Sequence, residues 1–196
     1  MNTPNKLTLA RMIATPIFML TMLINFPGHY LVALILFILA SLTDMIDGQM
    51  ARKYNMVTDF GKFMDPLADK MLTTSAYLGF MFVYGNSNLG WHMAIITFIV
   101  LFREFAVSSI RLVAVTAGGE VVAANIWGKC KTVSQMLGII FALAVLTYSK
   151  LASVPIAMLG GLNVLIMLLF WISAVLCVIS GAIYIWNGRQ YIANVK

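Results

Sequence analysis

The sequence predicts an all-α, polytopic membrane protein, and three observations carry that prediction. Hydrophobic residues make up 61% of the 196 positions and only 10% are charged, whereas a water-soluble domain of this length needs far more polar surface. Four stretches, Met12–Thr43, Met71–Phe102, Thr132–Ser149 and Leu151–Gly188, hold no Asp, Glu, Lys or Arg. Three of them exceed a single bilayer crossing of about 20 residues and must be divided. The dividers are legible as Gly, Pro, Asn and Ser clusters. No internal repeat, low-complexity tract or soluble domain is visible, so residues 1–196 read as one membrane domain.

Taken in order, the elements form a bundle of six transmembrane helices. The first span lies near Thr8–Ile24 and ends at Asn25, Pro27 and Gly28. It begins like a signal peptide, but no small-residue cleavage site follows, so it reads as a retained helix. The second covers Tyr30–Met50, and the third, Phe60–Tyr84, stops at Gly85-Asn86-Ser87-Asn88. The fourth, Trp91–Val115, stops before Gly118-Gly119, and the fifth, Lys131–Tyr148, before Ser149-Lys150. Gly160-Gly161 opens the sixth, Leu162–Trp186.

Orientation follows from the Lys and Arg asymmetry of the loops. Lys6, Arg11, Arg52, Lys53, Lys62, Lys129, Lys131, Arg189 and Lys196 fall on one side, and the opposite loops hold only Lys150. Both termini are therefore expected in the cytoplasm, with the chain in the cell membrane. The net charge of +6 suits contact with anionic lipid head groups. Nucleic acid is excluded as a partner, because no basic run is long enough to track a phosphate backbone. Cys130 and Cys177 are too few for a disulfide framework. His29 and His92 fall near the non-cytoplasmic ends and read as interfacial, the four Trp residues as belt anchors and the 14 Met as adaptable packing.

The acids are unevenly placed. Of seven, five (Asp44, Asp47, Asp59, Asp65, Asp69) lie in one short stretch. Ionisable groups at membrane depth are costly and usually functional. Asp44, Asp47, Gly48, Ala51 and Arg52 form one helical stripe at the cytoplasmic end of the second span. Gly61, Asp65 and Asp69 form another at the start of the third. A short connection predicts antiparallel neighbours whose stripes face each other, bringing four carboxylates together. Like charges that close require a cation between them. Oxygen donors without His or Cys select Mg²⁺, Mn²⁺ or Ca²⁺ over zinc. Gly48, Ala51 and Gly61 leave room beside the acids, and Arg52 carries a fork suited to phosphate oxygens. Asp59 falls off both stripes and reads as a solvated loop residue. The residues alone leave two functions open, a metal-dependent diphosphate site and a divalent-cation transport site.

Asp44-x-x-Asp47-Gly48-x-x-Ala51-Arg52, eight residues, then Gly61-x-x-x-Asp65-x-x-x-Asp69 resembles the signature of the CDP-alcohol phosphotransferase family, with every position filled. The six-span layout agrees. Three flanking segments, Pro4–Arg11, Arg103-Glu104 with Arg111, and Gly128–Thr132, resemble family members whose acceptor is glycerol 3-phosphate. The resemblance implies an enzyme that moves a phosphatidyl group from CDP-diacylglycerol to that acceptor with two Mg²⁺ or Mn²⁺ ions. It implies that Asp44, Asp47 and Asp65 hold the metals and that Asp69 both touches a metal and serves as base. It places the CDP-lipid against Asn5, Thr8, Gly48, Ala51, Arg52, Thr58 and Gly61, and it implies a homodimer. Other acceptors within the family, namely serine, inositol phosphate or phosphatidylglycerol, stay open.

A phosphorylated acceptor needs cations of its own. Arg103 and Arg111 are i, i+8 on the fourth span, hence on roughly one face, and Lys129 and Lys131 follow in the next cytoplasmic loop. Together they read as an acceptor-phosphate pocket. The alternative is structural, with Glu104 pairing Arg103 or Arg111 to hold the bundle. Lys70 stands beside Asp69 but off its stripe and reads as an interfacial or structural charge.

Overall fold

The computed structural model describes residues 2–53, 58–85, 87–116 and 126–193; within them, the side chains at 3, 4, 47, 49, 51–53, 59, 60, 62, 88, 115, 116 and 190–193 lie outside the description. The described residues are all-helical, with α1 (Thr3–Leu23), α2 (His29–Lys53), α3 (Asp59–Tyr84), α4 (Asn88–Thr116), α5 (Ile126–Leu151) and α6 (Gly160–Ala193). A 3₁₀ turn at Ile156–Met158 precedes α6. Each helix matches a predicted span; α2, α4, α5 and α6 run past both predicted ends, whereas α1 starts earlier and stops at Leu23, and α3 keeps its predicted end at Tyr84. Gly28 takes φ +77° in the α1–α2 turn, a left-handed conformation that a side chain would strain. Asp59, expected in a loop, begins α3.

Among the described residues, five helices are long and apolar enough to cross a membrane: α1, α2, α4, α5 and α6. The remaining helix α3, the third predicted span, has 26 residues, about 39 Å at helical rise. Asp65, Asp69 and Lys70 make its first half polar, leaving Met71–Tyr84 as its apolar part, short of the roughly 20 residues a full crossing needs.

Packing closes the helices into a ring in the order α1, α3, α4, α6, α5, α2 and back to α1. The expectation of facing stripes on α2 and α3 rests in part on Asp47, Ala51 and Arg52, whose side chains lie outside the described residues. Those two helices meet only marginally, and α1 packs extensively on both. Side chains of α1 therefore reach acids on both neighbours, Asp65 from Thr8 and Asp44 from Arg11. The interior is aromatic and tight: Phe170 of α6 stands 5.5 Å from Tyr77 and 5.4 Å from Phe80 of α3, ring centre to ring centre. Phe18 of α1 and Phe37 of α2 are 5.8 Å apart. Close van der Waals packing of this kind holds helices together where lipid supplies no hydrophobic drive.

Candidate active site

The first half of the site is assembled on α1. Thr8 and Arg11, three residues apart, lie on one face of that helix. Thr8 Oγ1 donates to Asp65 Oδ1 on α3 at 2.6 Å. Arg11 makes a charge-assisted hydrogen bond to Asp44 on α2. Two acids from helices that hardly touch are therefore gathered to a single α1 face. Local spacing gives Arg11 no functional role, because it does not reveal which helix packs on both α2 and α3. The Arg11 side chain is fully buried while Asp44 is 35% exposed, so the acid keeps an open side toward which a ligand can approach.

A second cluster sits one turn away. Thr58 caps α3: its Oγ1 accepts from the Gly61 backbone N–H at 3.0 Å and donates to Asn5 Oδ1 at 3.0 Å. Asn5 and Thr8 are buried. A Cβ at Gly61 would fall 3.2 Å from Asn5 Oδ1, 3.3 Å from Thr58 Oγ1 and 3.7 Å from Asp65 Oδ2. A side chain here would push its neighbours by a few tenths of an ångström, so crowding favours glycine. The structure thus brings together Asn5, Thr8, Thr58, Gly61, Asp65 and, through Arg11, Asp44. Gly48 is half-buried in the last turns of α2. Asp47, Ala51 and Arg52 belong to those turns as well, but their side chains lie outside the described residues.

Asp69 belongs to the other half. One turn beyond Asp65 on α3, it lines a cavity of about 650 Å³ together with Arg103, Arg111, Lys129 and Lys131. All four predicted acceptor cations therefore surround one space, with Asp69 at its edge. The same cavity is lined by Lys70, Glu104, Ser108, Thr132 and Tyr184. Lys70, read as an interfacial or structural charge, is hydrogen-bonded to Ser108 of α4 and also forms a wall of the cavity. Its position off the aspartate stripe turns it toward α4 instead. Glu104 is the anionic centre of the wall. Its carboxylate pairs with Lys131 and with Arg103 Nη1 at 3.1 Å, and Lys70 Nζ stands 4.0 Å away. The structural alternative for Glu104 holds in part: it pairs with Arg103, while Arg111 lies against Tyr184. Five cations against two carboxylates leave the cavity positive, which is the condition for binding an anion in a site partly screened from water.

The donors fit a hard divalent cation. Asp44, Asp65 and Asp69 offer oxygen only, which suits Mg²⁺ or Mn²⁺. Asp44 is already drawn to a positive group in Arg11. Among the described residues no three His, Cys, Asp or Glu side chains gather in one cage; the Asp47 carboxylate is outside that set. His29 is buried with Nδ1 3.0 Å from the Thr21 carbonyl oxygen, a structural role in place of the interfacial one expected.

Comparison with known proteins places the chain among lipid-forming enzymes. The family model described as CDP-alcohol phosphatidyltransferase matches residues 1–186. The chain is 40% identical over 192 residues to the CDP-diacylglycerol–glycerol-3-phosphate 3-phosphatidyltransferase of Bacillus subtilis (strain 168), with 92% of this chain and 91% of that protein covered. It is 37% identical over 194 residues to the protein of the same name in Rickettsia bellii (strain RML369-C), covering 97% of each. A probable phosphatidylglycerophosphate synthase of Mycobacterium tuberculosis (strain ATCC 25618 / H37Rv) is 34% identical over 199 residues, covering all of this chain and 85% of that protein.

Proposed function

Because the chain belongs to the CDP-alcohol phosphatidyltransferase family, we propose that it transfers the phosphatidyl group of CDP-diacylglycerol to glycerol 3-phosphate, giving phosphatidylglycerol phosphate and CMP. The observation that carries the acceptor half of this reading is the cavity beside Asp69, where five cationic side chains face two carboxylates. A phosphorylated alcohol fits that surplus, and serine, which carries no phosphate, does not. The names of its relatives favour glycerol 3-phosphate over inositol phosphate.

Each part of the site has a task. The Asn5–Thr58–Gly61 cluster, with Thr8, Gly48, Ala51 and Arg52, receives the cytidine diphosphate end of the donor. Asp44, Asp47, Asp65 and Asp69 would hold two Mg²⁺ or Mn²⁺ ions, and these would supply charge neutralisation at the diphosphate and at departing CMP. Arg103, Arg111, Lys129 and Lys131 hold the acceptor phosphate, so that its 1-hydroxyl reaches toward Asp69. That hydroxyl oxygen forms a bond to the lipid-side phosphorus, the bond from phosphorus to CMP breaks, and Asp69 takes the hydroxyl proton. A carboxylate is a weak base for an alcohol, so positioning supplies much of the acceleration. Residues 1–196 act as one catalytic domain with six membrane helices, both termini and the site facing the cytoplasm, and two copies forming the homodimer that the family resemblance implies.

The test is direct. Purified protein with CDP-diacylglycerol and Mg²⁺ is offered glycerol 3-phosphate, inositol phosphate, serine or phosphatidylglycerol, and CMP is measured. Release with glycerol 3-phosphate alone is expected. Release with another acceptor and none with glycerol 3-phosphate would overturn the acceptor assignment.

A further inference from the structure

The last helix carries no charged residue before Arg189, yet it meets the acceptor cavity at its arginines. Arg103 Nη2 donates to Ser180 Oγ of α6 at 2.6 Å, and Ser180 is 1% exposed. The adjacent Gly181 lies against the stem of the same arginine: a Cβ there would fall 3.0 Å from Arg103 Cγ. One turn on, Tyr184 lines the cavity and faces Arg111, whose Cζ is 6.0 Å from the ring centre. Further along, a Cβ at Gly188 would fall 2.7 Å from Ile110 Cγ2. The pairs Gly181 with Arg103 and Gly188 with Ile110 advance by the same step on each helix. Thus α4 and α6 run parallel and in register through this region.

This geometry is more specific than helix packing requires. Arginine has a long, rotamer-rich side chain, and ordering it costs up to about 2 kcal/mol of conformational entropy. Here one guanidinium nitrogen is taken by Glu104 of its own helix and the other by Ser180 of the neighbouring helix. The fork is fixed in its plane from two sides, and the missing side chain at Gly181 admits the stem. A guanidinium fixed before the ligand arrives loses less on binding it.

We infer that Ser180 and Gly181 of α6 are positioning residues for the acceptor, setting its affinity by aiming the Arg103 guanidinium along the wall of the cavity. The inference rests on the acceptor reading above. Neither residue touches the acids of the first half of the site, so the effect belongs to one substrate only.

Ser180→Ala, Gly181→Ala and the control Ser173→Ala test it in CMP release from CDP-diacylglycerol with Mg²⁺. Ser173 is a fully buried α6 serine whose Oγ lies 3.2 Å from Tyr77 Oη, away from any cavity cation. Ser180→Ala is expected to raise the KM for glycerol 3-phosphate about tenfold, the scale of one lost charge-assisted hydrogen bond. The KM for CDP-diacylglycerol and kcat should stay within about twofold of wild type. Gly181→Ala should move the same constant in the same direction, which keeps the test open if Ser180→Ala fails to fold. Ser173→Ala should leave the acceptor KM unchanged. An unchanged acceptor KM in Ser180→Ala, or an equal rise in Ser173→Ala, would overturn the inference. Should wild type itself release no CMP with glycerol 3-phosphate, the acceptor reading fails first; an active wild type with an unaltered Ser180→Ala sinks this inference alone.

Discussion

Arg11 of α1 holds Asp44 of α2 in an ion pair whose guanidinium side is wholly sequestered from solvent. The pair ties the acid stripe to a helix that carries no acid of its own. Removing the arginine leaves Asp44 without its countercharge, although the carboxylate's partial exposure moderates the cost. Arg11→Ala is expected to destabilise the bundle by on the order of 1–3 kcal/mol, less than the loss for a fully buried broken pair. Thermal unfolding in detergent reads this as a lowered midpoint. Arg11→Lys should recover only part of it, since an ammonium keeps the charge but not the fork. A midpoint equal to wild type in Arg11→Ala would show that the pair contributes nothing.

Gly61 is where the donor site is tightest. An added methyl there lies within 3.3 Å of both Asn5 Oδ1 and Thr58 Oγ1, two atoms bonded to each other at 3.0 Å. One of them must give, and either movement disturbs the cap of α3. Gly61→Ala is expected to raise the KM for CDP-diacylglycerol several-fold or more while the acceptor KM holds, with a stability loss near 1 kcal/mol as the cap weakens. Initial-rate kinetics with each substrate varied in turn would decide it. A change confined to the acceptor constant would place Gly61 in the wrong half of the site.

These two relationships mark what was legible in the sequence. Gly61, Asp65 and Asp69 share a helix, so their alignment follows from spacing, and Arg103 with Arg111 reads the same way. The six helices follow from charge-free stretches punctuated by Gly, Pro and Asn. Arg11 beside Asp44, Lys70 beside Ser108 and Ser180 beside Arg103 were not legible, because each pairs side chains from different helices. Helical periodicity gives the face a residue occupies and says nothing of which helix covers that face. The part played by α1, which packs on both α2 and α3, stayed hidden for that reason. The short apolar part of α3 has another cause: a helix that must carry Asp65, Asp69 and Lys70 gives up its first half to polar residues.

Asp69 is the proposed base, placed between the acids and the cationic cavity. Asp69→Asn keeps the shape and removes the proton acceptor. It is expected to lower kcat by about three orders of magnitude, within the range assigned to general-base groups, while CDP-diacylglycerol still binds. Turnover from CMP release, set beside equilibrium binding of the donor, separates the two effects. Complete loss of donor binding would make Asp69 chiefly a metal ligand.

Lys129 and Arg111 are the most exposed cations of the cavity, so their removal should disturb the fold least. Lys129→Ala and Arg111→Ala are each expected to raise the KM for glycerol 3-phosphate by about three- to tenfold, with the donor constant little changed. Lys131→Ala differs, because Lys131 is buried and paired with Glu104; it should lower the unfolding midpoint as well. Equal effects of Lys129→Ala on both substrate constants would remove that residue from the acceptor pocket.

Glu104 yields a prediction whose sign runs against intuition, because its carboxylate sits where an arriving phosphate would find its cations. It pairs with Lys131 and Arg103, and Lys70 is 4.0 Å away. Glu104→Gln keeps a carbonyl oxygen to accept from Arg103 but removes the negative charge. The cations then repel one another without compensation, so the unfolding midpoint should fall. The same change raises the positive potential of the cavity. At about 6 Å and an effective dielectric near 20, one unit charge is worth roughly 3 kcal/mol before screening by water and salt. A few-fold tightening for an anion survives that discount. Inorganic phosphate, added as an inhibitor competing with glycerol 3-phosphate, should therefore act at lower concentration on Glu104→Gln than on wild type, and the difference should shrink as salt is raised. Weaker inhibition of the variant would mean that Glu104 organises the cations for the ligand and does not compete with it.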